Sequence, residues 1–349
     1  MQTFIASIFV FGLLIFFHEL GHFIVARMMG IRVHEFSLGF GPKVAGVLAG
    51  GTAYNLRAFP LGGFVRMAGV DLNEEEPEKD RSKWFISKTV GQRAAVIFAG
   101  PLMNFILAVI LLAAVFVFQG LPVPSESTVV GKVVPGLPAE RSGIAAGDRI
   151  VAVDGRQVEN WSELVKYIYE RPDKTIEIKV LRNEEELCFE VKTVKDDQGL
   201  GKIGIYQATS YKKVGLLPSL YMSFEWTAKM TLTVLDFLSK MVFGQAPADL
   251  GGPVRVVSEI GRAARVGLFF LLELAAFLSI NLGLFNLLPI PALDGSRLLF
   301  LGWEKLKGRP VDPAKENFIH LVGFGLLLLL MVVITYRDIV NIFGNQQLK

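Results

Sequence analysis

His18-Glu19-Leu20-Gly21-His22 sets two histidines four residues apart with a glutamate between them. On a helix the two imidazoles fall one turn apart on the same face, where they can hold zinc. The glutamate can then act as general base for hydrolysis. Two histidines are not a complete site, because catalytic zinc usually takes three protein ligands and a water. Cys188 is the single cysteine, which excludes an internal disulfide and a thiolate-rich metal site. The third ligand must therefore be His, Asp or Glu, and the outstanding candidate is Asp294. It follows Asn286-Leu287-Leu288-Pro289-Ile290-Pro291-Ala292-Leu293. Two prolines there free backbone groups, which membrane depth tolerates only inside protein or beside water. A lone carboxylate at that depth is costly, and zinc would neutralise it.

These residues must be held by membrane-spanning elements. The chain has 349 residues, 52% of them hydrophobic without counting 35 glycines, against about 45–50% with glycine in soluble domains. Four apolar runs, 3–26, 93–118, 267–288 and 318–335, reach the roughly 20 residues that a bilayer requires. Residues 3–25 read as a retained span, since no basic n-region precedes them and no small-residue cleavage site follows. The stretch 214–243 carries Glu225, Lys229, Asp236 and Lys240 and reads as an amphipathic interfacial helix. A net charge of +3 gives no nucleic-acid footprint.

Basic residues set the orientation. Arg27, Arg32, Lys43, Arg57, Arg66, Lys79, Arg81, Lys83 and Lys88 follow the first span. Arg297, Lys305, Lys307, Arg309 and Lys315 follow the third. Both loops are expected in the cytoplasm, with the N-terminus, residues 119–266 and the C-terminus outside. At about 1.5 Å per residue His18 lies ~22 Å below Thr3, and Asp294 arrives at the same depth. The site is thus expected near the cytoplasmic side of the membrane.

Residues 126–209 read as a small soluble domain. Strands are expected at 129–134, 150–153, 175–181, 187–191 and 202–206, and helices at 161–169 and within 139–148. Asp154-Gly155 is a turn signal. Nearer the N-terminus, 55–59 and 64–67 are expected to pair as a hairpin around Pro60-Leu61-Gly62-Gly63. Its exposed edge could hold a substrate in extended form by β-addition, so Gly62 and Gly63 are candidate substrate-binding residues.

His-Glu-Leu-Gly-His in the first span and Asn-Leu-Leu-Pro-Ile-Pro-Ala-Leu-Asp-Gly after the third resemble the site-2 protease family of intramembrane zinc metalloproteases. The bacterial branch that cleaves anti-sigma factors fits best. Ser37–Pro42, Phe59–Arg66, Ala99–Phe105 and Gly251–Val254 resemble further segments of the family, so the likeness covers nearly the whole chain. The resemblance implies His18, His22 and Asp294 as zinc ligands and Glu19 as general base. It implies Asn286 as a hydrogen-bond donor to the substrate backbone or to the developing oxyanion. It also makes the soluble insert PDZ-like, with Ile203-Gly204-Ile205 as the carboxylate loop of a circularly permuted order.

The expected architecture is a multi-pass α-helical membrane protein of about four transmembrane helices. A membrane-associated β-hairpin and one inserted α+β PDZ-like domain complete it. Residues 1–125 form the N-terminal membrane core, 126–209 the insert, 210–266 an amphipathic helix and linker, and 267–349 the C-terminal core. The expected partners are the lipid bilayer and single-span membrane proteins, such as anti-sigma factors or remnant signal peptides, already cut by another protease. The insert either binds substrate C-termini or excludes intact substrates by size. Two other functions compete, an ion or proton transporter and a catalytically silent scaffold displaying the insert. Asn104 is expected to bond a neighbouring helix, Pro101 to kink or pack, and His34 and His320 to lie at the interface. Glu74, Glu75, Glu76 and Glu78 read as a solvated acidic loop.

Overall fold

The computed structural model describes residues 1–70, 80–125, 127–196, 199–245 and 251–344. The acidic run at 74–78 lies outside them. The chain divides into two compact units, Met1–Phe116 with Gly215–Lys349, and Val117–Val214.

The first unit begins with α1 (Gln2–Met28), whose buried residues include Val10, Leu14, Gly21, His22 and Ala26 at helical spacing. After the turn at Gly30 come β1 (Val33–Ala49) and β2 (Thr52–Met67), joined through Gly50-Gly51. The expected pairing of 55–59 with 64–67 does not form. Residues 35–38 pair with Arg66 down to Gly63 on one side and with Ala53 up to Leu56 on the other. The first half of β1 therefore lies between the two segments expected to meet. Its second half, from Lys43 to Ala49, pairs along 57 to 52. The physical reason lies at Gly39 and Gly41, both at positive φ, where β1 bends away. A Cβ at Gly39 would come within 2.5 Å of the Phe59 carbonyl, so only glycine lets the strands approach. Segment 63–67 is left as an edge, and the turn of the long hairpin is at Gly50-Gly51 rather than at Pro60–Gly63.

Next is α2 (Val90–Phe118), with Pro101 inside it. Proline has no N–H to donate, so one carbonyl in the preceding turn loses its helical partner.

In the second unit β3 (Leu121–Pro124) pairs with a strand at Thr209–Lys212. Then come β4 (Val130–Val133), α3 (Pro138–Arg141), β5 (Arg149–Val153), β6 (Arg156–Gln157), α4 (Trp161–Tyr169), β7 (Thr175–Arg182) and β8 (Glu185–Lys192). The short strands β9 (Val194–Lys195), β10 (Gly201–Lys202) and β11 (Ile205–Gln207) precede that last strand, β12. Strands run in the order β6-β5-β7-β8, while β11 pairs with β4. The strand expected across 202–206 is broken, because Gly204 turns at φ +87. The helix expected within 139–148 is the shorter α3, ended near Gly143 at φ +90. Along β7 burial alternates, and Ile176, Ile178 and Val180 meet Leu164 and Ile168 of α4 and Ile150 of β5. Each such side chain contributes about 1.5–3 kcal/mol of burial. Asn160 caps α4 by accepting from the Glu163 N–H at 2.9 Å.

The chain returns to the first unit as α5 (Leu216–Val242), α6 (Pro253–Val266), α7 (Leu268–Leu287), α8 (Asp294–Lys307) and α9 (Pro313–Gly344). Four helices among the described residues, Gln2–Met28, Val90–Phe118, Leu268–Leu287 and Ala314–Val340, are long and apolar enough to cross a membrane. Asp338 of α9 caps α6 by accepting from the Arg255 N–H at 3.0 Å. Gly252 leaves room for that carboxylate, since a Cβ there would lie 2.6 Å from its oxygen.

Between membrane helices little hydrophobic drive operates, and small residues let backbones close up. A Cβ at Gly21 of α1 would stand 2.2 Å from the Ala99 carbonyl of α2. Ser279 of α7 donates to the Asn104 carbonyl at 2.8 Å. These contacts lock α1, α2 and α7 around the two histidines.

Candidate active site

His18 and His22 project from α1, and Asp294 opens α8. His18 Nε2 lies 3.2 Å from Asp294 Oδ2, His22 Nε2 lies 3.4 Å from the same oxygen, and the two Nε2 atoms are 3.2 Å apart. Tetrahedral zinc at about 2.0–2.1 Å from each ligand requires ligand atoms roughly 3.3 Å apart, so this triangle is one face of such a tetrahedron. The other atoms of the rings point the same way. His22 Nδ1 meets the Val96 carbonyl at 2.8 Å, which fixes its proton on Nδ1 and leaves Nε2 with a lone pair. Asp294 Oδ2 is buried and accepts no hydrogen bond. Acceptor atoms thus face one another across a space that only a cation would make favourable, and the donor set of two imidazoles and a carboxylate suits zinc.

Helix α2 builds the wall behind the histidines. A Cβ on Gly100 would come within 2.2 Å of His22 Nε2 and 2.9 Å of His18 Cε1, so glycine there makes the space for both rings. Asn104 is fully buried, and its amide meets His18 Nδ1 at 3.2 Å. Its other amide atom, placed as Oδ1, has no partner. A half-turn of the amide exchanges its oxygen and nitrogen at the ring. Turning the amide lets Oδ1 accept from an Nδ1–H, which is the tautomer that frees His18 Nε2 for a metal. Asn104 does bond a neighbouring helix, as expected, but its partner there is a candidate ligand. Gly100 and Asn104 lie in the Ala99–Phe105 segment that resembles the family, whereas Val96 carried no signal.

Glu19 follows His18 on α1, and its side chain abuts β2. A Cβ built on Gly63 would lie 3.1 Å from Glu19 Cγ, 3.0 Å from Ile15 Cγ2 and 3.0 Å from the Ser37 carbonyl. Gly63 thus brings the edge segment of the sheet against the glutamate. Gly62, at φ +122, is pressed against the Phe40 ring. Asn286 lies half-buried in the last turn of α7, and its side chain makes no hydrogen bond among the described residues.

In the second unit a groove of about 440 Å³ runs between α4 and residues 201–207, lined by Trp161, Val165, Ile168, Ile203 and Ile205. Ile203 belongs to the core, and its carbonyl accepts from the Ala139 N–H at 2.9 Å. Gly204 turns against Leu137, and Ile205 pairs with Val133. A strand beside a helix with a groove between them is the PDZ-like arrangement.

The profile of Peptidase family M50 matches residues 6–330. The zinc metalloprotease RasP of Bacillus licheniformis is 36% identical, over 98% of this chain and 100% of its own. A putative zinc metalloprotease of Clostridium perfringens is 38% identical, over 96% of this chain and 98% of its own. The regulator of sigma-W protease RasP of Bacillus subtilis is 34% identical, over 98% and 99%. A PDZ domain from Listeria innocua is 30% identical over 23% of this chain and 92% of its own, with a TM-score of 0.21. The chain belongs to Peptidase family M50, the site-2 proteases. It is a multi-pass membrane protein and a zinc metalloprotease.

Proposed function

We propose that this zinc metalloprotease hydrolyses a peptide bond within or near the transmembrane helix of single-span membrane proteins. His18, His22 and Asp294 would hold the metal. When bound there, zinc supplies a water acidic enough to attack at neutral pH and a Lewis acid for the scissile carbonyl. Glu19 would take the proton of the attacking water and deliver it to the leaving amine. Asn286, with its amide uncommitted, would donate to the substrate backbone or to the developing oxyanion.

The observation that carries this reading is the contact between Glu19 and Gly63. A helical substrate hides its peptide bonds in its own hydrogen bonds. An edge segment at 63–67 offers an extended partner, beside the general base. Basic residues after the first and third spans support a site on the cytoplasmic side of a bacterial inner membrane, with the insert and both termini outside. The apolar groove of the insert supports docking of a trimmed substrate C-terminus, and exclusion of intact substrates by size is the alternative role. Anti-sigma factors are apt candidates, given the sigma-W regulator among the relatives, as are remnant signal peptides. In either case another protease would make the first cut.

Glu19→Gln tests the proposal. The variant should keep its zinc, lose cleavage and accumulate membrane fragments identifiable by proteomics. Undiminished cleavage would overturn the mechanism. A scaffold would lose nothing, and a transporter would lose ion flux instead.

A further inference from the structure

Asp294 reaches the histidines at the end of a loop that leaves α7 through Pro289 and Pro291. Within that loop Ala292 stands at φ +75, a left-handed conformation that side chains with a Cβ resist. Asp154, Asp173, Asn183 and Glu184, the other non-glycine residues at positive φ among those described, all sit in the inserted unit. Ala292 instead lies two positions before Asp294. Conformations of this kind persist only where the surroundings enforce them.

The Leu293 N–H donates to the Ile290 carbonyl at 3.1 Å and closes the turn from within, and a second contact comes from α9. The Ala292 N–H donates to His320 Nδ1 at 3.0 Å. Because Nδ1 accepts, the His320 proton is on Nε2. Phe300 of α8 meets the imidazole edge-on, with ring centroids 5.8 Å apart. Near one turn further along α9, a Cβ on Gly323 would lie 2.2 Å from Pro291 Cβ, so α9 lies directly on the loop. His320 thus joins α9, α8 and the loop.

We propose that His320 is a positioning residue, whose Nδ1 holds Ala292 in the left-handed turn that aims Asp294 at His18 and His22. The inference rests on Asp294 being a metal ligand. Without the acceptor the turn relaxes, and Asp294 Oδ2 leaves its place beside the two Nε2 atoms. Outer partners that orient ligands typically set metal affinity by about 10–100-fold, and here the partner acts through the backbone.

The test uses purified full-length protein as wild type, His320→Leu, His320→Asn and Asp294→Asn. Two readouts are taken, the rate of zinc loss to a chelator and the visible spectrum of the Co(II)-substituted protein. His320→Leu should lose zinc about 10–100-fold faster and shift the Co(II) bands. His320→Asn, whose Oδ1 can accept from Ala292, should restore both. Wild-type zinc retention and spectrum in His320→Leu would overturn the proposal. So would a His320→Asn variant as defective as His320→Leu, since ring bulk rather than the acceptor would then matter. Asp294→Asn separates the two readings. If it retains zinc as wild type does, the ligand assignment itself fails. If it loses zinc while His320→Leu keeps it, only the positioning role fails.

Discussion

His18 Nε2 and Asp294 Oδ2, from opposite ends of the chain, stand 3.2 Å apart. Nothing local brings them together. Helix α1 meets α2 where Gly21 faces Ala99, α2 meets α7 where Gly283 faces Pro101, and α7 ends in the loop that carries Asp294. A chain of close backbone contacts thus fixes the geometry of a three-atom site.

The first prediction concerns glycine contacts. Alanine improves on glycine in a helix by about 1 kcal/mol, so Gly→Ala is stabilising where space allows. Gly12 of α1 has nothing within 4 Å of a built Cβ, and Gly12→Ala should leave zinc content and cleavage unchanged. Gly100→Ala forces a methyl against His22 Nε2 and should lose zinc. Gly21→Ala forces α1 from α2 and should lose it too. Metal analysis of the three purified variants checks this order.

Asn104→Leu is close to isosteric but removes the group facing His18 Nδ1. Zinc affinity should fall by about 10–100-fold, measured by competition with a chromogenic chelator. The protein should still fold, because the Ser279 bond goes to the Asn104 backbone carbonyl.

Site geometry was legible in the sequence only where chemistry follows local pattern. Four-residue spacing is enough to put His18 and His22 on one face, and Pro289 and Pro291 mark a broken helix before Asp294. Gly100, Asn104 and His320 gave no such signal, because their roles arise between helices, and helices in lipid pack without an apolar stripe to betray the interface. The sheet was misread for a related reason. Pro60–Gly63 and Gly50-Gly51 are both turn signals, and only the distant strand 33–40, inserted between 53–56 and 63–66, decides between them. The insert was more legible, since β7 alternates and α4 has a capped, i,i+4 apolar face.

Edge pairing predicts a positional pattern. In a proline scan over residues 63–67, positions whose N–H points away from 35–38 should lose cleavage yet keep zinc. Positions whose N–H bonds to that strand should lose structure and zinc together. Cleavage unaffected at every position would remove the edge from the mechanism.

Acid sensitivity of the insert follows from Asp148. Burial pushes its carboxyl up, but hydrogen bonds from Arg182 and the Ala145 N–H, with the Arg182 charge, outweigh it and leave the group below the ordinary carboxylate value. A depressed folded value means the stabilisation is present above the unfolded value of about 3.9 and is lost as pH falls through the folded one. Protection of the β4 and β5 amides, taken as exchange relative to the unstructured rate at each pH in the full-length protein, should therefore fall below roughly pH 4. In Asp148→Asn protection should be low already at neutral pH, with that acid step removed.

The central claim is that His18, His22 and Asp294 together hold the zinc. X-ray absorption at the zinc edge of the purified full-length protein tests it most directly. The account predicts a first shell of nitrogen and oxygen at about 2.0–2.2 Å, with outer scattering from two imidazoles and no sulfur. Asp294→Asn should remove or reshape that shell. A zinc–sulfur shell, or a wild-type spectrum in Asp294→Asn, would contradict it.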